Sequence, residues 1–125
     1  MTIRIEEMGE HVMKTMRADD ILFTWCRRPT EAWAGHELNE VCIAPIRSTI
    51  SYSVALHEIG HIKGRYQLSR DSLVRERWAW VWAQANALIW TPAMERHRRV
   101  SLTYATRSRH RMKLLNEINA RGGTA

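Results

Sequence analysis

The stretch His57-Glu58-Ile59-Gly60-His61 spells H-E-x-x-H and is the most informative part of this 125-residue chain. Residues four apart lie on one face of a helix, so both imidazoles can reach a single metal ion. Glu58 lies beside them and can take a proton from a water molecule bound to that ion. The motif therefore predicts a helix that carries two zinc ligands, His57 and His61, and a general base, Glu58.

The residues around the motif favour a helix over 51–63. Ser48, Thr49 and Ser51 can each cap its amino terminus, and apolar residues recur at helical spacing through the motif. Gly60 lies inside this helix, where glycine is costly. A second segment that passes close to Gly60 would explain why glycine is there.

A catalytic zinc ion usually takes three protein ligands and a water molecule. The metzincin pattern would place a third histidine at position 67, but this chain has Gln67, which is a poor zinc ligand. We favour Glu76, because Ala79 and Ala83 follow it along one helical face and are small enough for two helices to pack closely. The alternatives are Asp71, His97 and His36.

The remaining patterns predict an α+β fold in one domain spanning residues 1–125. The predicted elements are a helix over 4–18, a strand over 21–25, a hairpin that pairs 32–34 with 41–43, the H-E-x-x-H helix, a helix over 70–90 capped by Ser69, and a basic helical segment over 93–125 with a break near Ser101. In this small zincin-like arrangement, a short antiparallel or mixed sheet packs on the H-E-x-x-H helix. The helix over 70–90 is apolar nearly all round, which predicts a central, buried position.

The charge of the chain is unevenly distributed. The formal net charge is +6, from 19 Lys and Arg against 13 Asp and Glu. Residues 1–62 contain six basic and nine acidic residues, whereas residues 63–125 contain thirteen and four. The basic half could bind phosphate groups or an acidic protein.

Cysteine content and hydropathy limit the class of protein. Cys26 and Cys42 belong to no C-x-x-C pair, so we expect two buried free thiols and no structural zinc cluster. Glu6, Glu7 and Glu10 interrupt any amino-terminal apolar run, and no stretch is apolar enough to cross a membrane. These features predict a cytoplasmic protein.

Six tryptophans are many for this length. Core packing is the first explanation, and a substrate groove or partner surface is the second. The segment over 41–44 could act as an edge strand that binds an extended peptide. The side chains that could stabilise an oxyanion are Tyr66, Tyr104, His97 and His110.

Residues 41–92 resemble the gluzincins, and most of all the small ImmA/IrrE-type metallopeptidases and the minimal single-domain gluzincins. The resemblance lies in Ala55-Leu56 before the motif, in Glu-x-x-Ala-x-x-x-Ala from Glu76 to Ala83, and in the later Pro92. The chain departs from the ImmA/IrrE pattern Ala-Asn-x-Phe-Ala at Ala79-Trp80-Val81-Trp82-Ala83.

The resemblance implies a zinc metallopeptidase in which zinc is held by His57, His61 and Glu76 and Glu58 is the base. It also implies a bacterial or phage origin and a repressor-type protein as substrate. Some members of the family act without proven proteolysis. The alternative is therefore a zinc-containing regulator that binds protein or nucleic acid through its basic carboxy-terminal half.

Overall fold

The computed structural model describes residues 2–122, which form four α-helices, a 3-10 turn and a three-stranded mixed sheet. The elements are α1 (Ile5–Ala18), β1 (Leu22–Trp25), the 3-10 turn (Pro29–Glu31), β2 (Trp33–Gly35), β3 (Glu40–Ile43), α2 (Thr49–Lys63), α3 (Ser72–Asn86) and α4 (Pro92–Gly122). The predicted α+β class is confirmed. The predicted basic segment over 93–125 extends beyond the described residues at 123–125.

The sheet has the order β1-β3-β2, with β3 in the centre. The predicted hairpin is confirmed, since β2 pairs antiparallel with β3 and Ala34 lies opposite Val41. β1 pairs parallel with β3 on the other side, so Phe23 also lies beside Val41. The prediction that residues 41–44 form an edge strand is wrong, because β1 occupies the second side of β3. The strand that borders α2 with a free edge is β2.

Helix α2 is the central element of the fold. Tyr52, Leu56 and Ile59 have no exposed surface, and α2 packs against both β3 and α3. Burying a large apolar side chain contributes about 1.5–3 kcal/mol, so the helix that carries the motif is also the most strongly held. The other elements contribute to this core Met8, Val12, Met16, Val41, Ile43, Trp80, Ala83 and Met94.

The amino terminus of α2 is closed by the first of the three predicted caps. Ser48 precedes the helix, and its hydroxyl oxygen accepts a hydrogen bond from the backbone N–H of Ser51 at 3.1 Å. The Ser51 hydroxyl group lies 3.0 Å from the backbone nitrogen of Ser48, which completes a reciprocal pair. This capping box fixes where the helix begins and therefore which of its faces the motif histidines occupy.

Gly60 is the point of closest approach between α2 and α3. A Cβ atom at Gly60 would lie 2.3 Å from the carbonyl oxygen of Ala79, a distance that no side chain could accommodate. The predicted close-passing segment at Gly60 is thereby confirmed. The contact places Glu76, almost one turn before Ala79, beside the histidines of α2.

Helix α3 is shorter and less buried than predicted. It runs from Ser72 to Asn86, and its cap is Asp71, whose Oδ1 accepts from the backbone N–H of Leu73 at 3.0 Å. The predicted range 70–90 and the predicted Ser69 cap are wrong. Only one face of α3 is buried, and Val81 is half exposed. The expectation of an all-round buried helix fits α2 instead, because α2 is covered by both the sheet and α3.

The burial of the tryptophans agrees only in part with the prediction that they pack in the core. Of the six, only Trp80 is buried, whereas Trp25 and Trp33 are exposed. Trp82 and Trp90 pack against the edge of the core. Core packing therefore accounts for three of the tryptophans, while Trp33 lies where the second interpretation, a groove, can apply.

Helix α4 is continuous through Ser101, so the predicted break there is wrong. Its first part packs on α2 and α3 through residues such as Met94 and Leu102. From Thr106 to Arg121 every described residue is exposed. The helix therefore projects a basic second half away from the core.

Both cysteines are free thiols, but only Cys42 is buried and Cys26 is partly exposed. The prediction of two buried thiols therefore holds for Cys42 alone. Within residues 2–122, no helix combines the length and the apolar character that a membrane span requires.

Candidate metal centre

The two motif histidines lie side by side on the face of α2 that meets α3. Their ring centroids are 4.6 Å apart, and the rings are about 13% and 17% exposed. This is the arrangement that the i, i+4 spacing predicts. Both rings are thus held at the surface of the core and reachable from outside it.

Glu76 of α3 spans the two imidazoles. Its Oε2 lies 2.7 Å from Nε2 of His57, and its Oε1 lies 3.0 Å from Nε2 of His61. One ligand atom from each of the three residues falls within 4.8 Å of the others. The structure therefore brings together the three residues predicted as metal ligands, each through the atom that a metal ion would need.

The three alternative ligands lie elsewhere. Asp71 caps α3 and pairs with Arg109, whose Nη2 is 3.1 Å from Oδ2. His97 packs its ring edge-on against Trp80, with centroids 6.0 Å apart. His36 follows β2 and faces the same cleft, but it is outside the cluster of ligand atoms. Glu76 is thus the third member of the cluster.

Gln67, which the sequence analysis set aside as a zinc ligand, contacts the cluster through His61. It is buried, and its Oε1 accepts a hydrogen bond from Nδ1 of His61 at 2.9 Å. Its Nε2 donates to the carbonyl oxygens of Arg65 and Arg75 at 3.1 and 2.9 Å, which fixes the orientation of the amide. Because the amide oxygen can only accept, Nδ1 of His61 carries a hydrogen, so Nε2 is the ring nitrogen that would bind a metal ion.

A signal for Gln67 was present in the sequence. It stands at the position where the metzincin pattern places its third ligand. A side chain too weak to bind zinc can still hold the ligand next to it, since ligand histidines nearly always donate their second N–H to an acceptor. Gln67 therefore contacts the candidate metal centre through His61 and is not itself a member of the cluster of ligand atoms.

His57 is held in place on two further sides. Its ring stacks on the buried indole of Trp80, with centroids 4.3 Å apart and planes at 15°. Its Nδ1 lies 3.3 Å from Oε1 of Glu58, the predicted general base. Glu58 is itself only 6% exposed, so its carboxylate is kept close to the cluster.

The charges of the cluster are strongly coupled. Burial by itself would lower the pKa of His57, but hydrogen bonds to Glu58 and Glu76 outweigh it and raise this pKa to about 9. Burial would likewise raise the pKa of Glu76, but hydrogen bonds from His57 and His61 hold it well below its usual range. A protonated His57 between two carboxylates therefore takes the place of a cation in the metal-free protein.

A cleft of about 400 Å³ opens onto the cluster. Its walls come from β2 and the following turn, from α2, and from the segment around the start of α3. The lining residues are Ala32, Trp33, Ala34, His36, Glu58, His61, Gln67, Arg75 and Glu76. Glu58 and the ligand face of the cluster thus share one cavity with the free edge of β2.

None of the four predicted oxyanion-stabilising side chains lines this cleft. Tyr66 packs against Trp78, Tyr104 and His110 are exposed on α4, and His97 contacts Trp80. The structure therefore does not bring these four side chains to the cleft, since sequence separation gave no indication of which loops face the motif. The lining side chains outside the metal cluster that can donate a hydrogen bond to a substrate include Trp33, His36 and Arg75.

Comparisons with protein-family models, with curated proteins and with solved structures found no match to this chain. The function must therefore be inferred from the chemistry of the cleft and its cluster.

Proposed function

We propose that this protein is a zinc-dependent metallopeptidase. The observation that carries the proposal is the convergence of His57, His61 and Glu76 beside a cleft that is lined by His61, Glu76 and Glu58. Two imidazole nitrogens and one carboxylate oxygen are the donor set of catalytic zinc sites, where a fourth position stays open for water. The partial exposure of all three ligands fits an open site of this kind.

The chemistry at this site follows from the positions of the side chains. A bound Zn²⁺ would polarise a peptide carbonyl group and lower the pKa of a water molecule toward neutrality. Glu58 accepts the proton of the attacking water and passes it to the leaving amine. Its position favours this role, because its carboxylate lines the same cleft as His61 and Glu76.

The substrate would bind as an extended segment along β2. Trp33, Ala34 and Gly35 of this strand pair with β3 on one side only. An extended peptide can add to the other side by backbone hydrogen bonds, and it would then cross the cleft above Glu58. We therefore propose a protein segment without regular structure as the substrate, and a repressor-type regulator is the class that the resemblance suggests.

Metal analysis beside a cleavage assay tests the proposal. The wild-type protein should hold about one zinc ion per chain, and Glu76→Ala should lose it. Asp71→Ala removes a carboxylate from the same part of the chain but outside the cluster, so it should keep the metal. Wild-type protein without stoichiometric zinc, or equal zinc in both variants, would refute the proposed centre.

Proteolysis itself needs a separate measurement. An unfolded protein such as reduced casein should be cut by the zinc-loaded wild type and spared after treatment with a chelator. Zinc-loaded protein that cuts neither casein nor a diverse peptide library would favour the second candidate function.

The second candidate is a zinc-containing regulator that does not cut proteins. It is favoured by the exposed half of α4, where Arg107, Arg111 and Lys113 form no ion pair within residues 2–122. Such a helix can neutralise phosphate groups of nucleic acid. Affinity for nucleic acid that falls steeply with salt, together with a lack of cleavage, would identify this function.

A further inference from the structure

We propose that Arg75 binds a carboxylate group of the substrate, so that the cleft selects peptides with an acidic group close to the bond that is cut. The acidic group is either an Asp or Glu side chain or the carboxyl terminus of the peptide. This inference rests on the proposed metallopeptidase function. The metal cluster alone would not require the substrate to carry such a carboxylate.

Arg75 is built into the wall of the cleft and not freely mobile. It precedes the ligand Glu76 in α3 and lines the same cavity. One guanidinium nitrogen donates to the carbonyl oxygen of Ser69, and the backbone carbonyl of Arg75 accepts from the buried Gln67 amide. The contact with Ser69 orients the side chain but uses only part of its donor capacity, since a guanidinium group has five N–H bonds.

The charge of Arg75 has no partner within the described part of the chain. Arg98, which is also partly buried, is neutralised there by Glu95. Arg75 forms no ion pair with any carboxylate of residues 2–122. A guanidinium group left unpaired in a cavity is a ready binding group for a carboxylate, which it can hold through two parallel hydrogen bonds.

The other charges of the cleft strengthen this preference. Among the described residues, the acidic ones that line the cleft are Glu58 and Glu76, and the β2 side of the lining contributes the neutral residues Ala32, Trp33 and Ala34. A bound divalent cation would balance the two carboxylates. Arg75 would then leave the cleft with a net positive charge, which raises the local concentration of anionic ligands.

The test uses the protein loaded with Co²⁺, whose visible absorption reports ligand binding at the metal. Two probes are titrated: acetohydroxamic acid, which is uncharged apart from its chelating group, and the monohydroxamate of succinic acid, which adds a carboxylate. We expect the succinic probe to bind at least about tenfold more tightly, as a charged hydrogen bond implies. Arg75→Gln should abolish this difference while leaving the affinity for acetohydroxamic acid and the Co²⁺ content unchanged.

Arg77→Gln is the matched control, because Arg77 is exposed on α3 and does not line the cleft. It should keep the full preference for the succinic probe. Equal affinity of the wild type for both probes would overturn the role of Arg75 while the metal centre stands. A wild-type protein that binds no Co²⁺ would overturn the proposed function, and the preference with it. The comparison of probes on the wild type remains decisive if Arg75→Gln does not fold.

The two sources of the carboxylate are separated with peptides on the zinc-loaded protein. If Arg75 binds a terminal carboxylate, amidation of the carboxyl terminus should abolish cleavage near that end. If it binds an acidic side chain, cleavage should survive amidation and be lost when Asn or Gln replaces the acidic residue. Cleavage that is indifferent to both changes would refute the inference.

Discussion

The contact between α2 and α3 and the exposed half of α4 are both rich in charged residues, yet they differ in how the charges are placed. At the contact, His57, His61 and Glu76 are partly buried and hydrogen-bonded to one another. In α4 beyond Thr106, the arginines lie in solvent. Buried charges must be paired or must hold a cation, whereas exposed charges carry little energy individually. The contact is therefore the better place to look for a specific chemical function, and substitutions should separate the two regions.

The largest effect should come from Glu58→Gln. Glutamine keeps the shape of the side chain but cannot accept the proton, so cleavage should fall by about 10²–10⁴-fold. Zinc content should stay at the wild-type level, since Glu58 is not a ligand in the proposed centre. The measurement is the rate of casein cleavage beside zinc analysis. Wild-type activity in this variant would contradict the role given to Glu58.

Gly60→Ala should break the contact between α2 and α3. The added methyl group would overlap the carbonyl oxygen of Ala79, so the helices must separate at a cost of about 1–3 kcal/mol. Glu76 would move with α3, and zinc affinity should fall along with the free energy of unfolding. Denaturant unfolding and a zinc-competition assay measure the two effects.

Gly9→Ala is the control for this substitution. Gly9 lies inside α1, and its nearest neighbour would be 4.0 Å from an added Cβ, so alanine should be tolerated or stabilise by about 0.5–1 kcal/mol. Equal loss of stability in both variants would show that close packing at Gly60 is unimportant.

Gln67→Ala should weaken zinc binding without removing a ligand. His61 would lose the acceptor that fixes its ring, which typically costs 10–100-fold in metal affinity, or about 1.4–2.7 kcal/mol. Gln67→Glu keeps an acceptor at the same place and should retain most of the affinity. A chelator-competition titration compares the three proteins, and unchanged affinity in Gln67→Ala would remove Gln67 from the metal centre.

Zinc binding should release a proton from His57. The pKa of about 9 in the metal-free protein means that His57 is protonated at pH 7, whereas a ligand must be neutral. Zinc affinity should therefore fall by about tenfold per pH unit below pH 9 from this group alone. Calorimetric titrations in two buffers with different ionisation enthalpies count the protons released.

The raised pKa of His57 also makes the stability of the metal-free fold depend on pH. This stability should fall as the pH rises, whereas zinc affinity should rise. A raised pKa stabilises the folded state fully below about pH 6.5, and this contribution is lost as the pH rises through about 9. The metal-free protein should therefore be less stable at pH 9.5 than at pH 6.5 as far as His57 is concerned. The measurement is the free energy of unfolding of the metal-free protein at these two pH values. A free energy of unfolding that does not fall between pH 6.5 and pH 9.5 would contradict the ion pair between His57 and Glu76.

The smallest effect on the fold should come from the exposed half of α4. Arg111→Glu with Lys113→Glu changes only solvent-facing side chains, so the free energy of unfolding should change by less than about 0.5 kcal/mol for each substitution. Zinc content and casein cleavage should be unchanged. Any affinity for nucleic acid should drop, and its dependence on salt should become shallower. Loss of zinc in this double variant would show that the two regions are not independent.

Much of the local structure could be predicted from the chain. The H-E-x-x-H spacing predicted that His57 and His61 share a face, Gly60 predicted the close helix contact, and the alanines after Glu76 predicted which helix makes it. These inferences succeeded because they depend on the period of a helix and on the size of adjacent side chains.

The errors arose where the surroundings of an element decided the outcome. The edge-strand prediction for 41–44 failed because β1 lies beside β3, and nothing in either strand specifies that parallel pairing. The buried position predicted for α3 belongs to α2, because the sheet covers one helix and leaves the other exposed. Gln67 and Arg75 were missed because a loop and a helix start bring them to the cleft.

The sequence by itself determined that two histidines share one helical face beside a neighbouring carboxylate, because this depends on residue type and on spacing within one helix. The alanines after Glu76 favoured its carboxylate over that of Asp71, but only the tertiary structure decided which amide contacts His61 and which arginine lines the cleft. The physical reason is that a metal centre is assembled from side chains distant in sequence. Their meeting depends on how α2, α3 and the sheet pack, which no local pattern specifies.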